Sequence, residues 1–160
     1  DTAVLWGPQG RHDLAIMKAI GANTVRLYGD DPSLDHRGFL DEAMNQGLDV
    51  IAGISDYPYT QMTGSCKSTG FDCYSQIREA YMMNLKRGFM TIGNVYSPAL
   101  RTLILMNEPD LKVTGGPKAF CRALVSALDG LLDAEKEAGI RGPLVNLSAT
   151  FSFGVCPQCE

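Results

Sequence analysis

Apolar positions along the chain follow one repeated pattern: a stretch at helical spacing, a glycine, then a short run suited to a strand. In residues 13–20, Leu14, Met17 and Ile20 fall at helical spacing, Gly21 follows as the stop, and residues 23–28 read as a strand. Residues 35–46 repeat the pattern, with Phe39, Leu40, Ala43 and Met44 as the apolar face, Gly47 as the stop and 48–54 as the strand. A third instance runs over 117–138, with Pro117 in the first turn and Phe120, Leu124, Leu128, Leu131 and Leu132 on the expected buried side. Gly139 and a strand over 143–148 complete it. Between the second and third lies a longer unit: a loop over 55–72, a helix over 74–87, a Gly/Asn/Pro stretch, and a strand over 100–106. The strands are near-continuous apolar runs, as expected when both faces of a sheet are covered. Their alternation with helices predicts parallel pairing through right-handed crossovers, an α/β fold in a single domain over 1–160. Periodicity alone does not separate a closed barrel from an open doubly wound sheet.

In parallel α/β folds, chemistry gathers on the loops that follow the strands' C-terminal ends. Those loops read Arg26-Leu27-Tyr28-Gly29-Asp30-Asp31-Pro32, Ser55-Asp56-Tyr57-Pro58-Tyr59, Asn107-Glu108-Pro109-Asp110 and Ser148-Ala149-Thr150-Phe151. Carboxylates, tyrosines, amides and one arginine on a single rim suit a sugar, which presents hydroxyls to polar groups and apolar ring faces to aromatics.

Thr102-Leu103-Ile104-Leu105-Met106-Asn107-Glu108-Pro109 resembles the fourth barrel strand of the large clan of retaining (β/α)₈-barrel glycoside hydrolases. Gly21-Ala22-Asn23-Thr24-Val25-Arg26-Leu27-Tyr28, with Asp31-Pro32 and Leu34-Asp35-His36 beyond it, is similar to the second strand of the β-1,3-glucanosyltransferases and β-1,3-glucanases. Residues 48–54 match their third strand in position and character. The resemblance runs in order through nearly the whole chain, from a first helix to a fifth strand. It implies a partial TIM-type barrel of roughly strands 2 to 5, with the first strand missing or reduced to Ala3-Val4-Leu5-Trp6. It also implies retaining chemistry on β-glucan, β-1,3-linked, without a cofactor or metal.

By this resemblance Glu108 is the general acid/base. A glycosidic oxygen leaves poorly unless protonated, so a carboxylic acid must be held neutral near the working pH and then act as base. The other reading of Glu108 is a solvated carboxylate at a strand-to-loop junction. Asn107 would hydrogen-bond the 2-hydroxyl of the sugar being cleaved, a contact that strengthens in the transition state. Arg26 matches a strand-two arginine that steadies the nucleophilic carboxylate, and inside an apolar strand it would need a buried partner. Tyr28, Asp56, Tyr57 and Tyr59 are candidate subsite residues, with packing at the rim as the alternative for each.

Retaining hydrolysis needs a second carboxylate about 5 Å from the first. In the families resembled, that nucleophile ends the seventh strand, and no residue of this chain matches it; Glu160 sits behind Cys159 and is not a candidate. A complete barrel takes about 250 residues, so the 160 here read as a half barrel, its open edges covered by the remainder of the barrel or by another chain. Two function classes follow: a β-glucan hydrolase or transglycosylase, and a hydrolase-like domain kept for glycan binding or assembly.

The remaining features narrow partners and compartment. A formal charge of −4, from 14 basic and 18 acidic residues without a basic block, argues against nucleic acid. No apolar run approaches the roughly 20 residues of a membrane span. A start at Asp1 rather than Met suggests a trimmed or longer product, compatible with a removed secretory leader. Of five cysteines, Cys66 and Cys73 could close a small loop. Cys156 and Cys159 form a C-x-x-C that could be redox-active, half of a zinc site, or two cysteines that pair elsewhere. Structural disulfides in an oxidising compartment are the favoured reading, placing the chain in the secretory pathway, cell wall or extracellular space. His36 is expected to be solvated at a helix start. Asn146-Leu147-Ser148 fits the glycosylation pattern but falls in a strand expected to be buried, and Met82, Met83 and Met90 are expected to fill the core.

Overall fold

The structure is a computed structural model that describes residues 3–152. In chain order the regular elements are α1 (Ala3–Trp6), α2 (Asp13–Ala19), β1 (Thr24–Arg26), α3 (Arg37–Asn45), β2 (Asp49–Gly53), α4 (Tyr74–Asn84), β3 (Leu100–Asn107), α5 (Pro109–Lys112), α6 (Gly116–Ala138) and β4 (Asn146–Thr150). The expected alternation of helix and strand is present, and the fold is mixed α/β. Residues 3–6 form one helical turn, closed by Gly7 N–H to the Ala3 carbonyl at 2.8 Å, where the sequence suggested a strand remnant.

The four strands form one parallel sheet in the order β1-β2-β3-β4, with Val25 opposite Val50, Ala52 opposite Leu103, and Leu103 opposite Leu147. The order follows the chain without reversal. Right-handed crossovers in such an order all pass over the same face, so the helices stack on one side. Burial agrees: along β2, Val50 and Ala52 are buried while Asp49, Ile51 and Gly53 are half-buried. The expectation that both faces are covered does not hold among the described residues. Thr24 and Arg26 of β1 and Asn146, Leu147 and Ser148 of β4 are exposed, so Asn146 is not in a buried strand.

The helical layer is built on close approach rather than on large side chains. The stripe of α6 that packs inward is Ala123, Ala127, Gly130, Leu131 and Ala134, whereas Leu132 faces solvent. A Cβ on Gly130 would stand 2.4 Å from the Tyr74 carbonyl oxygen, so only glycine lets α4 and α6 meet there. Of the apolar residues of α2 Leu14 alone is buried, and Ile20 just after it is 79% exposed. At the end of α4 the chain passes through a wide turn, Leu85–Phe89, that contains Gly88 with φ 129°. Met82 and Met90 pack against the core as expected. Inside this layer the Tyr81 and Tyr96 hydroxyls lie 2.6 Å apart, and Tyr96 donates to the buried Glu135 carboxylate. Burial pushes both tyrosines above the ordinary phenol range.

Residues 55–72, expected to be irregular, carry two helical turns, Tyr57–Gln61 and Cys66–Thr69. Among the described residues no helix is long and apolar enough to cross a membrane.

Candidate functional site

The site begins with a defect in β3. Ile104 pairs with Ser148 and Met106 with Ala149, which leaves Leu105 as an extra residue, a β-bulge. Side chains alternate along a strand, so an added residue reverses which face each later one takes. Leu103 and Leu105 are buried; Met106 is buried as well, and Asn107 then joins Ile104, Gly53 and Arg26 around one cleft. Without the bulge, Asn107 would share the face of Leu103 and point into the helical layer. The Leu105 carbonyl accepts the Tyr59 hydroxyl at 2.6 Å.

Asn107 is held from both sides of its strand, by β4 next to it and by β1 beyond β2. Its Oδ1 accepts Arg26 Nη2 from β1 at 2.8 Å and Thr150 Oγ1 from β4 at 2.9 Å. Two donors on one oxygen fix the amide orientation, leaving Nδ2 pointing to the Glu108 side, 3.4 Å from Oε2. The Arg26 guanidinium also lies over the Tyr28 ring, 4.8 Å from its centroid. Arg26 is therefore exposed and engaged by Asn107 and Tyr28, not buried in the strand as expected.

Glu108 closes β3 in a left-handed conformation, φ 50° and ψ 52°, that non-glycine residues seldom adopt. Its N–H continues the ladder to the Thr150 carbonyl at 2.8 Å, and Pro109 starts the single turn of α5. Strained backbone of this kind concentrates at functional positions because the surroundings must enforce it. That turn brings Lys112 back: its ammonium is 3.7 Å from Glu108 Oε2, 3.3 Å from the Asn107 carbonyl oxygen, and closest of all to Asp56 Oδ2.

The cleft enclosed by these groups has a volume of about 240 Å³, with Tyr28, Asp56 and Tyr57 also in its wall. Arg26, Tyr28, Asp56, Tyr57, Asn107 and Glu108 are thus brought together. Tyr59 is not: it is 4% exposed, its hydroxyl is taken by Leu105, and burial pushes it well above the ordinary phenol range. It braces the loop that carries Asp56 and Tyr57 instead of lining the cleft. Lys112 and Thr150 were not singled out in the sequence, although the Glu108–Lys112 spacing of four residues is a recognisable pairing signal.

Next to the cleft, the loop after β1 is tied down by His36, which is enclosed instead of solvated. Its Nε2 lies 2.9 Å from Asp30 Oδ1, and Asn84 of α4 donates to the other carboxylate oxygen. Burial disfavours the charged imidazole, but the hydrogen bond and charge of Asp30 outweigh it, and His36 titrates above its ordinary value. Tyr57 and Met83 line a neighbouring hollow with Asp30 and Asp31.

Cys66 and Cys73 are both buried and free, while Cys121 is exposed. The adjoining Cys66 thiol, with burial, drives Cys73 far above the usual thiol range. Cys156 and Cys159 lie outside the described residues. Among the described residues no cluster of three or more His, Cys, Asp or Glu could hold a metal ion. Comparison with family models, with curated proteins and with solved structures finds no match to this chain.

Proposed function

We propose that the cleft is half of a retaining glycoside hydrolase or transglycosylase site for β-glucan, β-1,3-linked, with Glu108 as the general acid/base. The observation that carries this reading is the Asn107–Glu108 pair at the C-terminal end of a parallel strand, one residue fixed by donors from β1 and β4 and the other in strained backbone. Asn107 Nδ2, which donates one hydrogen toward Glu108 Oε2, has a second to offer a sugar hydroxyl beside the bond to be cleaved. Arg26 stacked on Tyr28, together with Tyr57, offers flat surface for a ring. The sequential parallel strand order supports a barrel arrangement, because an open doubly wound sheet reverses its order at a switch point. In that arrangement the described strands correspond to strands 2 to 5, and the nucleophile comes from the part of the barrel that would close the sheet. Secretion and a cell-wall setting remain part of the same proposal.

A second reading, glycan binding without turnover, is favoured by one observation: Asp56, the other carboxylate in the cleft wall, is paired to Lys112 and not free to attack. The test is to incubate the protein, with the part that would close the sheet and supply the nucleophile present, with soluble β-1,3-glucan and with β-1,4-glucan, following oligosaccharide products and binding in parallel. Turnover of the β-1,3 polymer that Glu108→Gln abolishes, with binding kept, supports the hydrolase. Binding without products supports the second reading, and neither binding nor products overturns both.

A further inference from the structure

Lys112 stands between two carboxylates that reach it from different strands. Glu108 approaches from the end of β3, at 3.7 Å, and Asp56 from the loop after β2, in direct contact. The side chains of Lys112, Asp56 and Glu108 are 26%, 25% and 29% exposed, so the charges are partly screened but still sense one another. This arrangement creates a conflict. A cation beside a carboxylate favours its ionised form, whereas a general acid must carry a proton when substrate arrives. Asp56 is the carboxylate that holds the ammonium, closer to itself than to Glu108.

We infer that Asp56 is a positioning residue of the site, acting through Lys112 to keep the ammonium from locking Glu108 in its ionised form. The inference rests on the acid/base reading of Glu108. Among the described residues, the other charged or titratable groups that line the cleft with the trio are Arg26 and Tyr28 from β1 and its loop and Tyr57 beside Asp56. Arg26 is bound to Asn107 and stacked on Tyr28, and Asp110 accepts the Ser152 N–H. β4 contributes Thr150, which carries no charge.

Two readouts test it: the titration of the Glu108 carboxyl followed by carbon-13 NMR, and the pH profile of β-glucan turnover by the protein with the part that would close the sheet present. Asp56→Asn releases the ammonium toward Glu108, and both the NMR midpoint and the alkaline limb of the profile move down by about one pH unit. Lys112→Met moves both up. Asp56→Asn has a smaller effect in the Lys112→Met background than in the parent, because its partner is gone. Lys112→Arg keeps the parent midpoint, which guards against a folding artefact. Midpoints that stay put, or that move the same way in both single variants, overturn the inference. If the parent turns over no glucan while the NMR midpoints move in opposite directions, the charge pair stands and the hydrolase reading falls. If turnover depends on Glu108 but the midpoints are fixed, the reverse holds.

Discussion

Arg26 of β1 donates to Asn107 of β3 across the open face of the sheet, 2.8 Å from nitrogen to oxygen, spanning a strand that lies between them. The bond fixes which end of the Asn107 amide meets a ligand. Arg26→Gln removes the charged donor and the stack on Tyr28 together. A charge-assisted bond is worth about 1.5–3 kcal/mol, so β-glucan binding is expected to weaken roughly tenfold or more. Arg26 is exposed, so the unfolding temperature should barely change; calorimetric titration and a melting curve on the same sample check both halves.

Glu108→Gly separates the needs of the backbone from those of the side chain. Glycine is at ease at φ 50°, so the variant should be as stable as the parent or better, by up to about 1 kcal/mol. Turnover should vanish. Denaturant unfolding reads the first expectation; a clear loss of stability would mean that the left-handed turn is not strained.

Gly130→Ala forces a methyl into the Tyr74 carbonyl, 2.4 Å from where its Cβ must sit. Overpacking between α4 and α6 should destabilise the chain by about 1–3 kcal/mol. The cleft lies on the opposite side of the sheet, so glucan affinity per folded molecule should not change.

The His36–Asp30 pair predicts a pH dependence of stability. The folded state raises the titration point of His36, so its stabilising contribution is complete below the ordinary value of about 6.5 and is lost as pH rises through the folded value. Melting temperature should therefore fall across that interval in the parent, relative to His36→Gln. Equal slopes for the two proteins would remove the pair from the account.

Cys66 and Cys73 should link when the chain is folded under a disulfide oxidant such as oxidised glutathione, closing the loop that carries the Cys66–Thr69 turn. Non-reducing peptide mapping should find the two residues in one cross-linked peptide, and reduction should lower the melting temperature. Recovery of both as freely alkylated thiols after unfolding would refute the pairing.

The skeleton was readable because its signals are local. Gly21, Gly47 and Gly139 all follow helices with positive φ, 97°, 65° and 69°, and the strands between these stops pair in parallel as their apolar content suggests. Asn107 and Glu108 were placed at a strand end by position alone. What escaped was set by tertiary packing. Alanines 123, 127 and 134 are weak hydrophobic marks, so the larger Leu132 drew attention to the wrong side of α6. His36 looked solvated because its partners, Asp30 and Asn84, come from a preceding loop and a distant helix. Tyr59, two residues from Tyr57, read as a rim residue because nothing local announces the helical turn that buries it. The bulge at Leu105 was invisible for a related reason: Leu103 to Met106 are all apolar, so no polar residue marks where alternation breaks.

That unmarked residue has an outsized consequence. A sheet is read by parity, and Leu105 is the count that decides, from Ile104 onward, whether the Asn-Glu pair falls on the odd or the even side. Deleting it would keep every chemical group the cleft uses, in the same order along the chain, yet turn Asn107 toward the helices and strand Arg26 without its acceptor. Conversely, any sequence that kept the bulge could exchange much of the apolar strand without moving the pair. What the chain must preserve here is less a set of side chains than the arithmetic of one strand.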